Sequence, residues 1–203
     1  MITRIRTHLL LACCLLIISS CTSMKPEDFS DKTPRFILEQ YFAGKTSAWG
    51  IFEDRFGIVR RQFVVEIVGK WDGNVLILDE HFKYQDGETQ DRQWKIIKDG
   101  ENSYVGTADD VIGTATGKSS GNALNWSYTM DLKFGNSKSL NVKFDDWMFL
   151  QPGGVVVNRA RMSKLGIEIG QVSIFFKKNS DLAKEAILKA PKSSAELGAT
   201  APR

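Results

Sequence analysis

The side chains able to do chemistry are few. Glu80, Asp109, Asp110, Asp145 and Asp146 offer carboxyl groups, Arg92, Arg159 and Arg161 offer guanidinium groups, and the two histidines are His8 and His81. A pair of carboxyl groups can do acid–base work, which makes Glu80 and Asp110 the residues to consider for a hydrolase or isomerase. A serine triad needs an inward histidine beside a serine, and the strand pattern turns His81 outward. The sequence holds no phosphate loop and no dinucleotide fingerprint between a strand and a helix. Zinc needs several nitrogen or sulfur ligands, so neither a metal nor a cofactor is expected. The residues favour binding over catalysis, and the chain is expected not to be an enzyme.

Cys21 has a different chemistry. Arg4 and Arg6 open the chain, residues 9–18 are apolar, and Ser19-Ser20 precede Cys21. A basic start, a short apolar run and a small-residue site describe an export signal. The run is about half the ~20 residues that a spanning helix requires. A cysteine at that place resembles the lipobox of bacterial lipoproteins, in which the thiol takes a diacylglycerol and the new amine is acylated, commonly by palmitate. Several acyl chains anchor stably where one binds only marginally. Thr22, where an aspartate would resemble an inner-membrane retention signal, directs the expectation to the periplasmic face of the outer membrane. Cys13 and Cys14 would leave with the signal, so the mature chain would have neither a disulfide nor a free thiol.

The expected organisation follows: signal peptide 1–20, lipidated polar tether 21–33, one domain over 34–178, and a loose or weakly helical tail over 179–203. The formal net charge is +3, and loss of Arg4 and Arg6 brings it near neutral, which argues against nucleic acid as a partner. Pro34 to Phe42 reads as a short helix with Phe36, Ile37, Tyr41 and Phe42 as its apolar stripe. From about Ser47 to Lys178 the pattern is β. Turn signals recur at Asp72-Gly73, Asp86-Gly87, Asp99-Gly100, residues 117–121, Gly135-Asn136 and Gly153-Gly154. The expected fold is mainly β: an antiparallel, up-and-down, lipocalin-like barrel of about 8–10 strands, since closure removes the edges.

The elements place the candidate residues. Leu124, Trp126, Tyr128, Met130 and Leu132 alternate with polar residues and form one face. A two-residue loop at Asp72-Gly73 would pair Ile67 with Leu78 and Val65 with Glu80. A three-residue loop at Asp86-Gly87 pairs Glu80 with Arg92 and Leu78 with Trp94, on the same face as Leu76, Phe82 and Ile96. A buried carboxylate requires such a partner. The pair serves either as an internal ion pair that sets register or as a polar anchor for a ligand. Trp147 and Phe149 break the parity of Leu140, Val142 and Phe144, which suggests a β-bulge at Asp145-Asp146. Arg159 and Arg161 are anchors only if they face inward.

The motifs also resemble a family. Residues 48–57 (Ala-Trp-Gly-Ile-Phe-Glu-Asp-Arg-Phe-Gly), Trp71-Asp72-Gly73, Leu78-Asp79-Glu80, Arg92-Gln93-Trp94, residues 106–115, Asp145-Asp146-Trp147-Met148 and residues 158–164 are similar to bacterial lipoproteins catalogued as domain of unknown function 3833. That resemblance covers about Phe36 to Lys178 and implies no established activity. The family's small residue at position 109 is Asp109 here, which leaves Asp110 as the better candidate.

Together these features suggest a membrane-tethered binding module for a small apolar or amphipathic ligand such as a lipid or fatty acid. Its contacts would come from Glu80, Arg92, Trp94, Asp110, Trp126, Tyr128 and Arg159. The competing expectation is a solid barrel that serves the envelope through its surface. Phe63, Phe82, Trp94, Trp126 and Tyr128 are large enough to fill an interior.

Overall fold

A computed structural model describes residues 23–134 and 138–178. The expected signal segment, Cys21 and the tail over 179–203 lie outside the described residues. A 3-10 turn at Pro26–Phe29 and a helix α1 at Leu38–Phe42 precede ten strands: β1 Gly44–Asp54, β2 Val59–Trp71, β3 Val75–Tyr84, β4 Thr89–Lys98, β5 Ser103–Thr107, β6 Ala115–Ser120, β7 Ala123–Phe134, β8 Lys138–Leu150, β9 Val155–Lys164 and β10 Ile167–Lys178. Each strand pairs antiparallel with its neighbours in sequence, and β1 pairs with β10 to close the barrel. The expected fold class is therefore the observed one.

Period-two alternation builds the interior. Leu124, Trp126 and Met130 are buried on β7, as are Leu76, Leu78 and Phe82 on β3 and Trp94 and Ile96 on β4. The rings touch across the core, with Trp94 edge-on to Trp126 at 5.7 Å and to Tyr128 at 5.4 Å. Trp126 lies flat over the neighbouring wall: a Cβ at Gly117 would stand 2.2 Å from its ring and one at Gly106 2.7 Å. Only glycine lets the ring settle there.

α1 plugs one end. Phe36, Leu38, Tyr41 and Phe42 join the core, and the Tyr41 hydroxyl donates to the carbonyls of Gly154 and Phe176 at 3.0 Å each. Glu39 accepts from Lys98 at 2.5 Å and from the Tyr104 hydroxyl at 2.8 Å. Burial opposes its charge, but these bonds prevail and hold its carboxyl below the ordinary value. The expected helix from Pro34 is shorter than anticipated. Residues before Leu38 are extended, and the Phe36 amide donates to the Gly121 carbonyl at 2.7 Å, which commits that stretch to the strand ends. The opposite, distal end carries the turns at 55–58, 85–88, 108–114 and 165–166.

Three other expectations are corrected. In the β2–β3 hairpin Ile67 faces Glu80 and Val65 faces Phe82, a shift of two residues. Asp72 stands at the corner before the loop, because its carboxylate accepts from the amides of Asn74 (2.9 Å) and Val75 (2.7 Å). Gly73, with φ +103, then takes the first central position, where a II′ turn needs glycine. A shift of two keeps every side chain on its face, whereas a shift of one would have turned the strand over. No bulge interrupts Asp145-Asp146, since β8 keeps one register against β7 and β9 throughout. Trp147 and Phe149 are outward residues covered by Phe29, at 5.9 and 5.3 Å between ring centroids. The stretch expected as a tether is for that reason packed from Pro26 onward, and Glu27 pairs with Lys118 at 2.5 Å.

Candidate functional site

The β3–β4 register is as expected, and Glu80 stands opposite Arg92 on the inner face. Arg92 lies three residues in from the distal end of β4. There the wall is incomplete, because β5 pairs only with residues 95–98 of β4. Residues 108–114 fill the gap as a strap. A bridge between Val111 and Met130 holds it, with the Ile112 amide on the Thr129 carbonyl and the Asp131 amide on the Asp110 carbonyl, each at 2.8 Å.

The strap delivers Asp110 to Arg92. Arg92 Nη2 donates to Asp110 Oδ2 at 2.9 Å, and Nε is shared between Oδ2 at 3.0 Å and Oδ1 at 3.2 Å, so both carboxylate oxygens are gripped. Glu80 is farther away, 3.7 Å from Arg92 Nη1. The Phe82 ring lies 5.1 Å from the guanidinium carbon. The side chains of Arg92, Glu80 and Asp110 keep 15%, 13% and 24% of their exposure, so the group still touches solvent at the distal end. Burial pushes the Glu80 carboxyl up to about 7, against the pull of Arg92 and with help from Asp110.

A second polar group lies on β7, β8 and β9. The inward parity of Val142 and Phe144 continues to Asp146, which pairs with Trp126 across the strands. The Tyr128 hydroxyl donates to Asp146 Oδ2 at 3.4 Å. Burial raises the Asp146 carboxyl to about 8, resisted by the Tyr128 bond and Arg92 and reinforced by Asp145. Tyr128 is itself held well above its ordinary value by burial and then by Asp146. Asp146 is 7% exposed and Asn158, its diagonal neighbour, 1%. Asp146 Oδ1 and both polar atoms of the Asn158 side chain have no hydrogen-bond partner among the described residues.

Six of the seven interior candidates thus come together: Glu80, Arg92, Trp94, Asp110, Trp126 and Tyr128. Arg159 does not join them. It is exposed on the outer face of β9, because Val156, Asn158, Ala160 and Met162 take the inner positions. Asp109 is exposed, Asp145 accepts from Asn125 at 2.8 Å on the outer side, and His81 meets Asp91 there at 2.6 Å. Asp146 and Asn158 went unrecognised as a pair. Their signal was the parity of β8 and the two outward arginines of β9.

Above the polar groups the wall is apolar and incompletely buried, with Phe52, Leu132, Leu140, Ile169 and Val172 packed against Met130, Val142, Phe144 and Met162. Two grooves of about 590 and 380 Å³ open beside the plug, the larger lined by Arg35, Gln40, Tyr41 and Gly154. Neither is lined by Glu80, Arg92, Trp94 or Trp126.

Residues 15–178 match the model of a family described as proteins of unknown function, DUF3833. The chain belongs to the DUF3833 family. No curated protein matches it. The matched span runs through every strand to the end of β10, so plug, barrel and strap are covered together.

Proposed function

We propose that this DUF3833 protein is a lipid-anchored envelope protein, held by Cys21 to the periplasmic face of the outer membrane. Its barrel would act as a non-enzymatic binding module for a small amphipathic ligand, such as a lipid or fatty acid. The observation that carries the binding role is an amphipathic lining. Half-buried apolar walls at the distal end stand over a polar floor of Arg92, Glu80 and Asp110 that still meets solvent. Apolar walls with a few convergent polar groups are the usual composition of a ligand site. An acidic headgroup would compete with Asp110 for Arg92, and since Asp110 rides on the strap, exchange would loosen residues 108–114.

The test is mass spectrometry of lipids co-purified with the full chain carrying Cys21→Ser, beside the same chain with Arg92→Met. A defined lipid species retained by the first and lost from the second is the expected result. Absence of lipid from both, with tryptophan emission indifferent to added fatty acid, would sink the binding role. It would favour a solid barrel working through its surface. The seating of Trp126 on Gly106 and Gly117, above the α1 plug, is the observation on that side. A catalytic role for Glu80 or Asp110 has less support, because Asp110 is spent on Arg92.

A further inference from the structure

Two neighbouring turns at the distal end carry largely exposed apolar side chains, and the Arg55 guanidinium lies 4.8 Å from the centroid of the Phe56 ring. In the β1–β2 turn Phe56 is 72% exposed, with Ile58 and Val59 beside it, and in the β9–β10 turn Leu165 is 93% exposed, with Ile167 beside it. The turns adjoin because β1 pairs with β10, and the Arg55 amide donates to the Ile169 carbonyl at 3.1 Å. Leu165 is the clearest case. It and Gly166 form the two-residue loop between paired Lys164 and Ile167, with φ of +49 and +79. That loop favours asparagine or glycine at both positions. A leucine there satisfies neither the backbone nor the core, so a contact outside the chain accounts for it better.

The charges around the turns leave a small basic excess, with Arg55, Arg60, Arg161 and Lys164 against Glu53, Asp54 and Glu168. Asp54 is turned inward on the amides of Phe56 and Ile58 and pairs with Arg60 at 2.6 Å, and Glu168 lies 4.0 Å from Arg161. Arg55 and Lys164 make no ion pair among the described residues. Protein interfaces present a continuous core patch. Here single apolar side chains project from turn tips with basic groups behind them, which is the arrangement that suits insertion into the headgroup boundary of an anionic bilayer.

We propose that the β1–β2 and β9–β10 turns form a bilayer-docking tip, inserting Phe56, Leu165 and Ile167 while Arg55 and Lys164 meet anionic headgroups. This contact is separate from acylation of Cys21 and from any ligand in the barrel. The full chain with Cys13, Cys14 and Cys21 replaced by serine and a single new cysteine, Leu165→Cys, is labelled with an environment-sensitive dye. A control places the label at Ile97→Cys on the outer wall of β4. Vesicles of phosphatidylcholine, with and without phosphatidylglycerol, are then added.

The expected result is a blue shift with at least about a twofold rise in emission at position 165, stronger with phosphatidylglycerol, and no change at position 97. With the label moved to Ile167→Cys, Phe56→Asp and Leu165→Asp together should weaken that response about tenfold or more, since two apolar side chains lose their burial. A silent label at 165 while the chain sediments with vesicles would overturn the proposal, because the N-terminal segment would then be the membrane contact. A shift that appears with protein concentration alone would overturn it in favour of a second copy. Failure to retain lipid in the barrel would leave this result untouched.

Discussion

Arg92 is the residue on which the interior polar group depends. It neutralises Asp110 through two hydrogen bonds and faces Glu80 at 3.7 Å. Removing one partner of a buried pair leaves an uncompensated charge, at a typical cost of about 3–5 kcal/mol. Arg92→Met should therefore lose roughly that much stability in urea unfolding near neutral pH, and less near pH 5, where the Glu80 carboxyl is protonated. Asp146 gives the opposite sign of pH dependence from a salt-bridged acid. Its carboxyl, at about 8, and that of Glu80, at about 7, lie above their unfolded values of 3.8 and 4.5. The folded chain then holds protons that the unfolded chain releases. Their contribution is fully present below the unfolded values and is lost as pH rises through about 7 and 8. The thermal midpoint should fall between about pH 6 and pH 9, and Asp146→Asn should flatten that fall and raise the midpoint at the alkaline end. A midpoint that rises over this range would contradict the buried protonated state.

Three elements repay perturbation. The strap over residues 108–114 takes the place of wall between β4 and β7, and Asp110 is its link to the interior. Asp110→Asn should keep the backbone bridge to Met130 yet weaken the latch, seen as faster amide exchange at Ile112 and Asp131 than at Val105. The N-terminal turn covers Trp147 through Phe29. Phe29→Ala should cost about 1–3 kcal/mol in urea unfolding and shift tryptophan emission to the red as Trp147 meets water. The β9–β10 turn carries Leu165 in the left-handed region at φ +49. Leu165→Asn should stabilise the hairpin by up to about 1 kcal/mol, while the bilayer response at the tip weakens.

At the scale of the molecule the two ends differ. The N-terminal segment lies at the plug end, where Phe29 and Phe36 dock, and the apolar turns lie at the other. β7 spans twelve residues, so a tilted barrel separates its ends by roughly 30 Å. A chain acylated at Cys21, two residues before the first described residue, would hold the docking tip away from the anchoring leaflet. Acylated protein in one vesicle population should therefore cluster a second, anionic population, read as turbidity, and Leu165→Asp with Phe56→Asp should abolish the clustering.

Sequence alone determined the strand alternation, the closed antiparallel barrel and the Glu80–Arg92 pairing, because period two and a glycine-bearing turn act over a few residues. It also showed that Trp147 and Phe149 leave the parity of β8, but not why. The cause is Phe29, more than a hundred residues away in sequence, and a local pattern read that contact as a bulge. The β2–β3 register slipped by two for a related reason: Asp-Gly marks a turn, while the Asp72 carboxylate's bonds to two amides decide on which side of the corner the loop sits. Only the tertiary structure brought Asp110 to Arg92, set Asp146 beside Asn158 and brought the β9–β10 hairpin against the β1–β2 turn. Only the last depends on barrel closure between β1 and β10; the first depends on the strap's bridge to β7 and the second on the β8–β9 register, and no short stretch of sequence specifies any of the three.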